Sequence, residues 1–156
     1  MKNKYILFLI FFIANFGALG IGTILMDNGS TSTWYTSLNQ APWTPEGWVF
    51  GAAWTTIMVL FSFYMTKLAL LFKEKNSFLI QLFLVQWILN VSWNYFFFNQ
   101  HLTIIGFVVI ISLWLLIGFF TFNFMKPLKW YTLLIAPYLI WLTIASTLNG
   151  YIILYN

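Results

Sequence analysis

The amino-acid sequence predicts an all-α membrane protein: a single domain, residues 1–156, folded as a bundle of five transmembrane helices with its N-terminus inside and its C-terminus outside. Two observations predict this. Of the 156 residues, 62% are hydrophobic and only 6% are charged, whereas a soluble domain has about 25% charged residues to cover its surface. The lysines also occur only at alternate connections between the apolar stretches. Most of the surface is therefore expected to face lipid.

Five apolar stretches are long enough to be transmembrane helices, each of which needs about 20 residues to cross a hydrocarbon core of about 30 Å. The predicted spans are residues 5–26, 46–72, 77–98, 102–124 and 129–154. They lack the period-2 alternation of a membrane barrel strand and exceed its length of about 10 residues. The first stretch is also longer than the apolar run of about 7–15 residues in a signal peptide, so we expect a helix of the mature protein.

The charges predict the orientation. All seven cations are lysines. Lys2 and Lys4 lie at the start of the first span, Lys67, Lys73 and Lys75 at the junction of the second and third spans, and Lys126 and Lys129 at the junction of the fourth and fifth. The 27–45 loop, the 99–101 turn and the C-terminus contain no lysine. Positive residues favour the cytoplasmic side, so the alternation fits an odd number of spans. The net charge of +4 therefore reflects topology, and we expect no nucleic-acid partner.

The connections between the spans differ in length. Residues 73–77, 99–101 and 125–129 are short and predict that the helices they join are neighbours. The 27–45 loop is long, which in a compact protein indicates function or disorder. Its Trp34-Tyr35 pair favours packing against the bundle, so we expect it to form a lid. Thr44-Pro45-Glu46 is typical of a helix start and predicts where the second span begins.

Few residues could carry acid–base, nucleophilic or metal chemistry. The acids are Asp27, Glu46 and Glu74, all predicted near membrane edges, and there is no cysteine. The single histidine, His101, fits an interfacial residue better than a haem ligand. No predicted span has a carboxylate at mid-membrane, where proton and ion pathways usually have one. A hydrolase, a proton pump and an ion-coupled transporter are therefore disfavoured, and neither a metal nor a tightly bound cofactor is expected.

Aromatic residues, by contrast, make up 22% of the chain and include nine tryptophans. At about 100° per residue, three predicted helix faces combine aromatic, small and polar side chains. They comprise Gly47, Gly51, Trp54 and Met58; Gln86, Asn90, Trp93 and Phe97; and Pro137, Trp141, Ala145 and Leu148. Such faces suit a cavity for a flat apolar ligand, but an aromatic-rich packed core needs no ligand. Spacing alone favours the packed core.

Four ordered blocks resemble the tryptophan-rich sensory protein family, also called the translocator protein (TspO) family or peripheral-type benzodiazepine receptor family. The blocks are Trp34-Tyr35-x2-Leu38 with Pro42-Trp43-Thr44-Pro45; Trp48-Val49-Phe50-x3-Trp54; Gln86-x2-Leu89-Asn90-x2-Trp93-x3-Phe97-Phe98; and Pro137-Tyr138-x2-Trp141-x3-Ala145-x2-Leu148-Asn149. Each block alone is weak, but the resemblance covers most of the chain from Trp34 onward.

The chain departs from the family pattern at several positions. Glu46 stands where a second proline is common, Ala52 where a proline is common, and Met58 where a tyrosine is common. Asn94 replaces a proline that often follows the third-span tryptophan. The residues after Tyr151 lack the basic residue of the animal cholesterol-recognition pattern, so sterol binding by that motif is unsupported.

The resemblance implies an aromatic cavity capped by the first loop and occupied by a tetrapyrrole such as protoporphyrin IX. Isoquinoline and benzodiazepine ligands of animal relatives are further expected ligands, and bacterial members are linked to light- and oxygen-dependent protoporphyrin degradation. Carried over by motif, the ligand-binding residues are Tyr35, Trp54, Asn90, Trp93, Trp141 and Ala145, with a hypothetical photochemical role for Trp54 and Trp141. The resemblance also implies a homodimer in a bilayer, expected here to be a bacterial cell membrane.

Three functions remain open on the sequence. The first is a receptor that binds tetrapyrroles and promotes their photo-oxidative breakdown, without hydrolytic or metal chemistry. The second is a transporter of porphyrins or other lipophilic molecules, which the lack of charged coupling residues and of an evident internal repeat disfavours. The third is a structural or regulatory membrane partner with no ligand turnover.

Overall fold

The fold consists of long helices joined by short helical turns. The computed structural model describes residues 2–73 and 76–156, with the side chains of 2, 3 and 76 left out. The elements are α1 Lys2–Leu25, α2 Thr33–Ser37, α3 Gly47–Leu71, α4 Asn76–Asn94, α5 Thr103–Asn123, α6 Met125–Leu128 and α7 Ala136–Tyr155. Glu74 and Lys75, which belong to the charge pattern above, lie outside the described residues.

Membrane-spanning potential is highest in four of these helices. Within the described residues, α1, α3, α5 and α7 are long and apolar enough to cross a membrane by length and composition. The 19-residue α4 is more polar because it carries Gln81, Gln86, Asn90 and Asn94. The predicted all-α fold is therefore confirmed, with four helices that meet the criteria for a span.

Two helices begin later than the sequence suggests. The start of α3 predicted from Thr44-Pro45-Glu46 is wrong by a short distance, because the helix begins at Gly47 with Glu46 at its N-cap. The Glu46 carboxylate instead accepts a hydrogen bond of 2.8 Å from the Trp48 indole N–H. The last helix begins at Ala136 rather than near residue 129, since Lys129–Leu134 form a 3-10 helix. Pro137 occupies the first turn of α7, where its missing N–H costs nothing.

The five long helices of the described chain pack in a closed ring. Helix α1 packs against both α3 and α4, while α4 packs on α5, α5 on α7, and α7 on α3. The predicted neighbours across the 99–101 and 125–129 connections are thus confirmed. Across the 73–77 connection the prediction is wrong: α3 and α4 are not among the extensively packed pairs of the described chain, because α1 packs against both of them.

The tightest packing is in the second half of α3. Met58, Phe61, Tyr64, Met65 and Leu68 are all 0% exposed. The Phe61 ring lies 5.4 Å from Tyr138 and 6.1 Å from Phe120 between ring centres, both edge-on. The Tyr64 hydroxyl donates a 2.7 Å hydrogen bond to the Phe120 carbonyl. We call this part of the bundle the far end, because it lies away from the 27–45 loop.

At the opposite, lid end, α4 continues as a π-helical turn, Tyr95–Asn99. Such turns shift the register of a helix and are frequent at functional sites. Here the turn buries Phe97 and Phe98. Gly106 of α5 packs directly on it: a β-carbon at Gly106 would lie only 2.9 Å from the Phe97 Cβ. A glycine is therefore required where α5 crosses the turn.

Candidate ligand-binding site

A cavity of about 280 Å³ lies at the lid end, between α1, α3 and α4. Most of its lining is apolar or aromatic, with a few hydroxyl and amide groups. The lining residues are Leu19, Thr23, Met26, Ser30, Gly47, Phe50, Gly51, Trp54, Thr55, Asn90, Trp93, Asn94 and Phe98. An apolar concave site with a small number of polar groups is the usual form of a small-molecule site.

Three of the residues predicted from the sequence meet in this cavity: Trp54 from α3 and Asn90 and Trp93 from α4. Trp54 packs edge-on against the Tyr138 ring at 5.8 Å. Asn90 donates a 2.7 Å hydrogen bond from its side-chain amide to the Tyr138 hydroxyl. Tyr138 therefore fixes both side chains from behind the cavity wall.

A second cavity of only about 10 Å³ lies beside the first, on the α7 side. Two more predicted residues, Tyr35 and Ala145, line it together with Trp93. Phe50, Trp93 and Phe98 line both cavities and so form the wall between them. Five of the six predicted residues thus lie around a pair of adjacent cavities, although their role in ligand binding stays a prediction.

The sixth predicted residue, Trp141, lines neither cavity. Its side chain is 6% exposed, and its ring packs edge-on against Phe50 at 5.3 Å. Among the described residues, its buried indole N–H has no hydrogen-bond partner. An unpaired buried donor is costly, so the Trp141 position is unusual among the tryptophans of this chain.

Gln86 and Tyr138 form a polar cluster with Asn90 under the larger cavity and are not among the predicted site residues. The Tyr138 hydroxyl accepts hydrogen bonds from Gln86 at 2.8 Å and Asn90 at 2.7 Å. All three side chains are buried, at 1%, 1% and 4% exposure for Gln86, Tyr138 and Asn90. Gln86 and Asn90 are four residues apart, so the spacing placed them on one face of α4, but it did not reveal that their common partner is Tyr138.

Trp93 is positioned by a second buried amide. Its indole N–H donates to the Asn149 side-chain oxygen at 3.4 Å, and the Asn149 side-chain nitrogen donates to the Thr103 carbonyl at 3.0 Å. Trp93 also stacks on Phe97 at 5.4 Å with nearly parallel rings. Asn149 therefore joins α4, α5 and α7, and it also lines the smaller cavity.

The 27–45 loop covers the lid end with ordered aromatic contacts. Trp34 stacks on the His101 imidazole at 4.1 Å and packs edge-on against Phe97 at 5.6 Å. Tyr35 is 4% exposed and packs edge-on against Phe98 at 5.4 Å. Burial raises the pKa of the Tyr35 phenol above its usual value, so this group stays neutral at physiological pH. The loop is therefore held on the end of α4, as a lid requires.

The same loop is also tied to α7. The Trp43 indole N–H donates to the Thr147 hydroxyl at 3.2 Å. Further along, the Asn39 backbone N–H donates to the Asn156 side-chain oxygen at 2.8 Å, and the Asn156 amide returns a 3.2 Å bond to the Asn39 carbonyl. Contacts with both α4 and α7 therefore define the position of the loop.

Two other tryptophans in the spans pack between helices away from the cavities. Trp87 donates its indole N–H to the Ala14 carbonyl at 2.9 Å, and Trp114 donates to the Thr143 hydroxyl at 2.8 Å. They stabilise helix contacts, as interhelical hydrogen bonds do in membranes. The packed-core interpretation thus applies to these two, whereas Trp54 and Trp93 line a cavity.

The fold and the site together define a helical membrane protein with an aromatic cavity beneath an ordered loop. The model of the TspO/MBR family matches residues 8–155, and the chain therefore belongs to the TspO/MBR family, which confirms the resemblance drawn from the four blocks.

Similar proteins come from several bacteria. The chain is 33% identical over 146 residues to protein CrtK of Rhodobacter capsulatus, covering 92% of this chain and 88% of that protein. It is 31% identical over 156 residues to the tryptophan-rich protein TspO of Chlorobaculum tepidum, covering 99% of each. The tryptophan-rich sensory protein of Cereibacter sphaeroides is 30% identical over 149 residues, covering 96% of this chain and 90% of that protein.

Proposed function

We propose that this protein binds a tetrapyrrole such as protoporphyrin IX in the aromatic cavity at its lid end and promotes its light-dependent oxidative degradation. The observation that carries the proposal is that Trp54, Asn90 and Trp93 surround one cavity beneath the lid. Family membership and the bacterial relatives further support a receptor in the bacterial cell membrane, and we propose that it acts as a homodimer.

The lining matches the chemistry of this ligand class. A porphyrin is a broad, flat π-system that can stack on indole and phenyl rings. Asn90 donates through one amide hydrogen to Tyr138, and an amide nitrogen carries two donors, which leaves one for a ligand. The charged propionates of the porphyrin would remain at the lid end, near the polar loop.

The proposed photochemistry begins with one electron transfer. An excited porphyrin takes one electron from an indole ring, which yields a porphyrin radical anion and an indole radical cation. Molecular oxygen, the oxidant, then adds to the reduced macrocycle, and the adduct returns one electron to the indole radical cation. The resulting neutral peroxide cleaves one methine carbon–carbon bond into two carbonyl groups, so that the net change is the addition of O2 to the porphyrin. Trp54 lines the cavity, so its ring is the donor that a bound macrocycle would contact. Trp141 lies one phenyl ring behind and would act at longer range.

The binding step can be tested by titrating the purified protein with protoporphyrin IX while following tryptophan fluorescence. We expect saturable quenching that weakens when Trp54→Phe and Trp141→Phe are combined. Trp114→Phe is the matched control, because Trp114 contacts Thr143 away from the cavities. Quenching that does not saturate, equal in all variants, would mean that porphyrin only partitions into the detergent; the structural or partner-binding function would then be favoured.

The photochemical step has a separate readout. Under illumination in air, we expect the double Phe variant to lose porphyrin absorbance several-fold more slowly than the parent protein at equal occupancy. An unchanged rate with intact binding would contradict the role of the two tryptophans. A liposome flux assay addresses the transport alternative, for which saturable porphyrin movement in the dark would be the signature.

We further propose that α4 also spans the membrane, which gives five spans with the N-terminus inside. Its position between α1 and α5 supports this, because the polar side chains Gln86 and Asn90 are buried against other helices. The chain has no cysteine, so single cysteines can be introduced for labelling. Ser37→Cys should react with an impermeant reagent from outside and Lys126→Cys only from inside; labelling of both from one side would contradict five spans.

A further inference from the structure

The larger cavity is small for the ligand class proposed above, on which this inference rests. Pockets for drug-sized molecules span roughly 300–1,000 Å³, and the cavity measures about 280 Å³. A tetrapyrrole macrocycle with its substituents is larger than a typical drug fragment. The adjacent cavity adds only about 10 Å³. A ligand of this size therefore needs more volume than the two cavities together provide, and a side chain displaced from the wall between them would supply it.

The wall between the cavities contains one residue that is less firmly held than the others. Trp93 and Phe98, 5% and 4% exposed, are buried, and each takes part in several aromatic contacts beneath the lid. Phe50 is only partly buried, and its aromatic contact within the described structure is the edge-on packing against Trp141. Of the three shared side chains, Phe50 is therefore the one that can move at least cost.

Space for such a movement lies beside Phe50, at two glycines of α3. Gly51 follows Phe50 and lines the larger cavity, and a β-carbon placed there would meet no atom of the described structure within 4 Å. Gly47, one turn earlier, also lines the cavity, and its nearest contact would be the Ser30 hydroxyl at 3.7 Å. Two positions within about 100° of Phe50 around the helix therefore carry no side chain.

Behind Phe50 lies the Trp141 ring, whose buried indole N–H has no partner within the described part of the chain. A buried donor without an acceptor marks a place where a polar atom is missing. With Phe50 in its present position, its ring packs on Trp141 and stands between that indole and the larger cavity. Movement of Phe50 would make this part of the site accessible.

We propose that Phe50 is a gate that determines the size of ligand the site accepts. In the closed position described above, the larger cavity admits ligands of one or two fused rings. When the Phe50 side chain changes rotamer, the two cavities join and gain the volume that its ring occupied, so that the site admits a macrocycle that reaches from Trp54 to Ala145. Because the open state is a minor one, its population lowers the apparent affinity for large ligands in proportion.

The experiment compares two probes of different size on four proteins: the parent, Phe50→Ala, Phe50→Leu and the control Phe63→Ala. The probes are indole, which fits the closed cavity, and protoporphyrin IX. Phe63 lies on the same helix and is 48% exposed, so its truncation removes an equal side chain away from the site. Binding is followed by equilibrium titration and by stopped-flow fluorescence in the same detergent.

With a gate, Phe50→Ala should bind protoporphyrin IX at least five-fold more tightly than the parent, with a smaller gain for Phe50→Leu. Indole affinity should change less than two-fold. The association rate of protoporphyrin IX should level off at high concentration in the parent, where gate opening limits it, and rise linearly in Phe50→Ala. Phe63→Ala should behave as the parent.

Equal changes for both probes, or no change for either, would overturn the gate. If the parent binds indole but not protoporphyrin IX while Phe50→Ala binds both, the gate holds and the proposed ligand is wrong. If protoporphyrin IX binds the parent saturably and Phe50→Ala leaves its affinity and kinetics unchanged, the proposed function survives and the gate does not. Phe50→Leu, which removes less volume, provides the same comparison if Phe50→Ala fails to fold.

Discussion

The two halves of α3 differ sharply in how they pack. From Ile57 to Leu68, most side chains that face other helices are buried. From Gly47 to Thr56, which the structure describes in full, none is buried. The first half carries two glycines and lines the larger cavity. The second half fills its surroundings with the Phe61 and Tyr64 rings. One helix therefore serves as a scaffold at the far end and as a cavity wall at the lid end.

The difference shows where a membrane bundle can leave space. Lipid provides no strong hydrophobic drive between helices, so their association depends on close packing and interhelical hydrogen bonds. At the far end, the dense packing of aromatic side chains provides the close contact between helices. At the lid end, buried amides such as Asn90 and Asn149 and the covering loop hold the helices around an empty volume. Substitutions should therefore affect stability at one end and ligand binding at the other.

The largest effect is expected for Phe61→Ala at the far end. Phe61 is 0% exposed and contacts rings from three other helices, so truncation should lower the free energy of unfolding by about 3–5 kcal/mol. Detergent-based chemical unfolding followed by circular dichroism measures this. Phe122→Ala, at a 68% exposed position of α5, should change it by less than about 0.5 kcal/mol. Similar losses for both would contradict a dense far end.

An intermediate effect is expected for Asn149→Ala. This change leaves the Trp93 indole N–H and the Thr103 carbonyl without their partner, and each unpaired buried group costs about 1–3 kcal/mol. The free energy of unfolding should fall by about 1–3 kcal/mol. The affinity for protoporphyrin should also fall, because the Trp93 ring is no longer held in position by Asn149. Asn123→Ala, at an exposed position of α5, is the control. Weaker binding with unchanged stability would show that Asn149 acts on the ligand directly.

The smallest effect on stability, and of opposite sign, is expected for Gly51→Ala. Its added methyl group meets open space, and alanine favours a helix over glycine by about 1 kcal/mol. Stability should rise by up to that amount while affinity for a ligand in the larger cavity decreases. Gly106→Ala is the contrasting change, since its methyl group would press on Phe97 at 2.9 Å and should lower stability. A decrease in stability for Gly51→Ala would mean that the cavity wall is already tightly packed.

Much of this arrangement could be predicted from composition and spacing. Apolar length and helical period identified the long helices, and the paired aromatics of the loop indicated a lid that packs on the bundle. The shared faces of α3 and α4 brought Trp54, Asn90 and Trp93 to one cavity, as helical spacing implies. These features depend on the spacing of residues within one segment, which can be read from the sequence.

Other features depend on contacts between distant segments. The role of Tyr138 required knowing that α7 places its hydroxyl between Gln86 and Asn90. Phe50 lies within about one turn of Gly47, Gly51 and Trp54 in the sequence. Only the position of its ring in the folded protein shows that it separates the two cavities. The π-helical turn shifts the register of α4, and the 3-10 helix over Lys129–Leu134 delays the start of α7. The hydrophobic periodicity of the sequence does not predict either feature.

The double attachment of the 27–45 loop has a consequence for how the bundle comes apart. The loop contacts the end of α4 through Trp34 and Tyr35 and the end of α7 through Asn39 and Trp43. It thereby acts as a non-covalent cross-link between helices that are distant in sequence. Opening of the loop and fraying of the last turns of α7 should then be one cooperative event. The lifetime of the closed site should therefore depend on both attachments of the loop, the one to α4 and the one to α7.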